Sequence, residues 1–123
     1  MRLLLIGIGG FVGATARYAV DGWVTNLTDA SFPWGTLAVN VSGSLLIGLL
    51  FALASERAVI PPDLRGPIMI GFVGAYTTFS TLALESWRLM DGGAWLLSAA
   101  NLGASVLLGV AAVIAGVAIG RAI

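Results

Sequence analysis

Four side-chain hydroxyls crowd a single stretch: Thr77, Thr78, Ser80 and Thr81, set around Phe79 and preceded by Gly71 and Gly74. Each hydroxyl donates one hydrogen bond and accepts others, and none is charged at neutral pH. Where water is excluded, two chemistries suit such a group. Neutral N–H and O–H donors replace the water shell of a small anion, yet hold it weakly enough for release. Backbone carbonyls freed at a helix break hold Na⁺. Glycine weakens a helix, and hydroxyls bond the backbone groups that a broken helix exposes. The same residues also suit a glycine-rich packing surface.

Two further uncharged faces stand at helical spacing. Thr36, Asn40, Gly43 and Ser44 recur at i, i+4, i+7 and i+8, and Ser98, Asn101 and Ser105 at i, i+3 and i+7. Asn40 brings two donor hydrogens and two acceptor lone pairs into apolar surroundings. Either it joins helices or it faces a wet path. Phe79 sits amid the hydroxyls, where its slightly positive ring edge can meet an anion; a core phenylalanine is the commoner use. Glu85 falls close to the end of its apolar span, which suits a vestibule better than mid-membrane proton coupling. Arg17 serves as an interfacial anchor, a partner for Asp21, or a buried structural or pore residue.

The surrounding chain is a membrane protein. Of 123 residues, 59% are hydrophobic and 10% charged, against about 25% charged in soluble domains; mean hydropathy is +1.00. Four apolar spans are expected, at about 3–20, 36–55, 68–87 and 94–119, and they form one domain with the third helix broken near Gly74–Thr78. The fold class is all-α membrane protein. Arg2, the apolar run and Ala14–Thr15–Ala16 imitate a signal peptide, but the apolar pattern continues through Arg17 to Val24 and favours a retained helix. Trp23 and Trp34 are expected to bracket the first loop. With no Cys, His or Lys, the chain lacks thiol chemistry, the usual general base and a phosphate-loop lysine, so no enzyme constellation forms. A formal charge of zero offers no basic arm for nucleic acid. Four spans put Arg2, Arg57, Arg65 and Arg121 on one side, against Arg88 and, if it reaches the interface, Arg17. That weak bias permits insertion in both orientations, and hence an antiparallel dimer; fixed insertion with the termini inside is the ordinary alternative.

Three segments in order carry a resemblance: Gly9–Tyr18 (GGFVGATARY), Pro33–Gly43 (PWGTLAVNVSG) and Gly71–Thr81 (GFVGAYTTFST). Together they resemble the Fluc/CrcB family of fluoride channels over nearly the whole chain. The resemblance implies a passive fluoride exporter of the bacterial inner membrane, working as a dual-topology antiparallel homodimer with two pores among membrane lipid. It implies Asn40 as the pore asparagine and Phe79 as the first of a phenylalanine pair, beside Thr78, Ser80 and Thr81. Ser105 matches the pore serine. A central structural Na⁺ would sit on the backbone carbonyls of Gly74 and Thr77 from both subunits. Arg17 and Glu85 also match positions the family fills this way. Two positions depart from the pattern: Leu82 replaces the second phenylalanine, and Asn101 replaces a tyrosine one turn before the serine. The alternative from another class is a small proton- or Na⁺-coupled exporter.

Overall fold

The computed structural model describes residues 1–123 and contains only helices and their connections. Helix α1 is Arg2–Leu27. Helix α2 is Trp34–Phe51 and runs on as a π-helical turn, Ala52–Glu56. The third span strings together α3 (Pro62–Arg65), a π-helical stretch (Gly66–Val73), α4 (Gly74–Tyr76) and α5 (Phe79–Asp91). Helix α6 is Trp95–Ala122. Four stretches are long and apolar enough to cross a bilayer: Arg2–Leu27, Trp34–Glu56, Pro62–Asp91 and Trp95–Ala122. The third has the lowest mean hydropathy, 1.4, because it carries the hydroxyl cluster.

The first span continues past Val20 to Leu27, since no proline interrupts it. Trp23 and Asn26 therefore lie on α1, and the loop is Thr28–Pro33. Within it the Ser31 N–H donates to Asp29 Oδ1 at 3.1 Å, closing a local turn before Pro33 opens α2. Pro67, which has no N–H and crowds the preceding turn, lies within the π-helical stretch, whose wider turns accommodate it. Gly93, at φ +82°, turns the chain between α5 and α6.

Small residues set the packing. A methyl group at Gly13 would overlap the Phe72 backbone, so α1 lies directly against the third span. A methyl at Gly116 would overlap the Leu45 carbonyl, and α6 lies against α2 in the same way. At the end holding both termini, Arg121 grips Glu56 with two bonds, at 2.7 and 2.6 Å, and Arg57 Nη1 donates to Gly120 O at 3.4 Å.

Burial is inverted relative to a soluble domain. The buried apolar residues are Leu37, Val39, Ala52, Ala54, Val73, Tyr76 and Leu82, while six polar ones, Thr36, Thr78, Ser86, Ser98, Asn101 and Ser105, are buried beside them. Large apolar side chains such as Leu3, Phe11, Leu96 and Ile114 point outward, as a lipid-facing surface requires.

Candidate functional site

The third span breaks where the hydroxyls are. Thr77 (φ −79°, ψ 159°) and Thr78 (φ −149°, ψ 113°) are extended, and helix resumes at Phe79. The break thus falls inside the expected Gly74–Thr78 window, at its end. Gly74 itself is helical, at φ −62° and ψ −35°. The glycine is part of the helix, and the break falls where side chains take up the backbone N–H groups of Thr78 and Thr81.

Asn40 of α2 grips Thr78 at both of its backbone groups. The Thr78 N–H donates to Asn40 Oδ1 at 2.7 Å, and Asn40 Nδ2 donates to Thr78 O at 3.0 Å. The Thr78 hydroxyl caps α5: it accepts from the Thr81 N–H at 3.3 Å and donates to Thr81 Oγ1 at 3.0 Å. In a continuous helix these two N–H groups would serve the carbonyls of Gly74 and Thr77. Both carbonyls are left without their helical donors. Thr77 closes α4 by sending its N–H and its hydroxyl to Val73 O, each at 3.1 Å.

A cavity of about 410 Å³ opens at the break, lined by Asn40, Gly43, Ser44, Gly74, Thr77, Thr78, Phe79, Leu82 and Ser105 with apolar neighbours. No charged side chain lines it. The donors without a partner on the residues that line it are the second Nδ2 hydrogen of Asn40 and the hydroxyls of Ser44 and Ser105, the last of them buried. The N-terminus of α5 begins at the same wall and adds the positive end of its dipole. Phe79 is 80% exposed, so its ring projects away from the rest of the chain. Leu82 is buried and supplies plain apolar wall.

A second cavity, of about 250 Å³, shares Thr78 with the first and adds Arg17, Tyr18, Asp21, Thr36 and Thr81. Arg17 and Asp21 line it together without forming a salt bridge; the chain's salt bridge is Arg121–Glu56. A third, of about 300 Å³, holds Asp21, Asp29, Glu85 and Arg88. Glu85 accepts a bond from the Thr36 hydroxyl at 2.8 Å, and so lies off the first cavity.

The expected site residues therefore separate. Asn40, Thr78, Phe79, Leu82, Ser105, Gly74 and Thr77 meet at one cavity. Thr81, Arg17 and Glu85 border the neighbouring ones. Ser80 is exposed and lines none of the three. Asn101 is fully buried elsewhere: Nδ2 donates to Ser86 Oγ at 3.0 Å, in a seam where Ser98 Oγ donates to Ser86 O at 2.9 Å. Ser86 has no place among the expected site residues, although it lies one turn after Leu82, to whose carbonyl it donates at 2.8 Å. A second pair not expected from sequence, Ser42 and the Tyr76 hydroxyl at 2.8 Å, ties α2 to α4.

A four-span helical membrane protein, broken in its third span beside an uncharged donor-lined cavity, has the build of an ion-conducting protein. The chain belongs to the CrcB family: the family model described as CrcB-like protein, Camphor Resistance (CrcB), matches residues 4–117. It is 47% identical to the Fluoride-specific ion channel FluC of Hahella chejuensis over 122 residues, covering 99% of this chain and 96% of that one. It is 43% identical to the protein of the same name from Magnetococcus marinus, over all of both chains. The family is one of ion channels, not enzymes, and with four apolar spans the chain is a multi-pass protein of the inner membrane.

Proposed function

We propose that this chain is a fluoride-specific channel that lets fluoride leave the cell passively, as a dual-topology antiparallel homodimer. One observation carries the reading: a cavity of uncharged donors opens at the break in the third span, in a chain whose relatives are named for fluoride conduction. Fluoride is small and strongly hydrated. Asn40, Ser105 and the start of α5 offer it N–H and O–H groups in place of water, and the lack of a full positive charge keeps it mobile. The outward Phe79 ring supports a second copy, because its edge has no protein around it in one protomer. Leu82 makes this a one-ring contact at each site. Thr81, Ser80 and Arg17 would line the approach, with Glu85 in the vestibule beyond.

A structural Na⁺ fits the same break. The structure has no cluster of three or more His, Cys, Asp or Glu side chains able to hold a metal, but Gly74 and Thr77 border the cavity and their carbonyls lack their helical donors. Such carbonyls, from two subunits, suit Na⁺. The test is efflux from proteoliposomes with a fluoride electrode and chloride as comparator. Fluoride should leave down its own gradient, with no pH or Na⁺ gradient imposed. Efflux that requires either gradient would establish a coupled exporter instead.

A further inference from the structure

The geometry points to Asn40 as the positioning residue that makes the break: by capturing the Thr78 N–H it denies Gly74 O its helical partner, so one side chain sets both the donor-lined cavity and the free carbonyls. This deepens the channel reading and rests on it only for its transport arm.

Three residues of α2 touch the break. Gly43 lies against the Thr77 methyl, Ser42 pairs with the Tyr76 hydroxyl at 2.8 Å, and Asn40 holds Thr78. The first is packing. The second joins side chains and leaves the helical ladder alone. Only Asn40 competes for a backbone donor that the ladder would otherwise use. Its 2.7 Å bond from the Thr78 N–H is shorter than the usual ~2.9–3.0 Å for such a pair. The return bond to Thr78 O fixes the other side of the residue, as a neighbouring strand would, and keeps Thr78 extended. With Thr78 extended, its hydroxyl reaches the Thr81 N–H, which removes the helical donor of Thr77 O. The second carbonyl is thus freed as a consequence of the first. One Nδ2 hydrogen of Asn40 remains for the cavity.

A competition of this kind predicts a rescue that neither an ion contact nor simple helix glue would give. In Asn40→Ala the Thr78 N–H has lost its acceptor and returns to Gly74 O. If Thr78 is also built as the backbone ester, with its N–H replaced by oxygen, there is no donor to return, and the break persists without Asn40. Semisynthetic full-length chains with ¹³C=O at Gly74 alone report this by isotope-edited infrared spectroscopy, with neither fluoride nor Na⁺ needed. The Gly74 band should move to lower frequency in Asn40→Ala, as its oxygen becomes hydrogen-bonded, and return to the native frequency in the double variant. The ester alone, with Asn40 in place, should keep the native band as a control; Asn40→Val, which fills the space without offering an acceptor, should shift the band as Asn40→Ala does and serves as the test if Asn40→Ala does not fold. An unmoved band in Asn40→Ala, an unrescued band in the double variant, or a shifted band in the ester alone would each overturn the proposal. In the transport arm, fluoride efflux should fall about tenfold in Asn40→Ala, as for the loss of one hydrogen bond to a charged group. If efflux is absent from the native protein while the band behaves as described, the channel reading fails and the positioning role stands.

Discussion

Ser105 allows a test in which transport and stability should move in opposite directions. The residue lines the cavity at the break, and its hydroxyl is buried and has no hydrogen-bond partner. An orphaned buried hydroxyl costs stability, about 1–3 kcal/mol on protein mutational scales. Ser105→Ala removes that cost and one oxygen atom, so the folded protein should be as stable as the native one or gain about 1 kcal/mol. If the hydroxyl instead serves a passing fluoride, the ion loses a charge-assisted bond of about 1.5–3 kcal/mol. At subsaturating fluoride that is a fall in flux of roughly tenfold to a hundredfold. The assay pairs electrode-monitored efflux from proteoliposomes with thermal unfolding of the same preparation. Ser98→Ala is the control: its hydroxyl is engaged with Ser86 O, so stability should drop while flux per folded protein holds. Native flux in a Ser105→Ala protein of unchanged stability would remove Ser105 from the ion path. A loss of stability would mean that the hydroxyl has a partner in the membrane and belongs to the helix contact.

Other outcomes follow from the same geometry. Asn40→Asp keeps the acceptor for the Thr78 N–H but sets a carboxylate against Thr78 O and the ion, so efflux should be lost; native efflux in a folded protein would show that Asn40 lies off the path. Asn101→Leu leaves Ser86 without its donor and should lower stability by about 1–3 kcal/mol while sparing flux per folded protein, as unfolding and efflux assays would report. Gly13→Leu drives a side chain into the Phe72 backbone and should leave no folded protein on size exclusion. Tags on the termini should be labelled from both sides of intact cells if insertion is dual; one labelled side would refute it.

The sequence announces the spans plainly, because a run of about 20 apolar residues has few other uses. It places the break to within a few residues, since four hydroxyls in the middle of a span need backbone groups to bond. Two features stay hidden for physical reasons. The end of α1 is invisible to hydropathy: its last turns leave the apolar core, and nothing local stops the helix before Thr28. The partner of Asn101 is hidden because spacing assigns a face, not a neighbour. Its face meets α5 at Ser86, which no periodicity in α6 can report.

That last distinction governs the uncharged polar residues throughout. Ser, Thr and Asn serve in this protein both as glue between helices and as lining of the cavity, and their residue type does not separate the uses. What separates them is whether the donor hydrogens already have acceptors. Thr15 and Thr28 return theirs to carbonyls one turn back, at 2.8 Å each, and Thr77 does the same at 3.1 Å. Ser86, Ser98 and Thr36 give theirs to neighbouring groups. Ser44, Ser105 and the second Asn40 hydrogen stay unengaged, and all three residues border the cavity at the break. Buried donors in a membrane are normally satisfied, so the one left open at Ser105, beside half-buried ones at the same cavity, calls for an acceptor that comes and goes. The consequence is a ranking that measured efflux can contradict: removing a donor should slow fluoride in proportion to how free that donor is, with Ser105→Ala well below Ser98→Ala and Thr15→Val indistinguishable from native. If Thr15→Val slows fluoride as much as Ser105→Ala, the open donors are not what the ion uses.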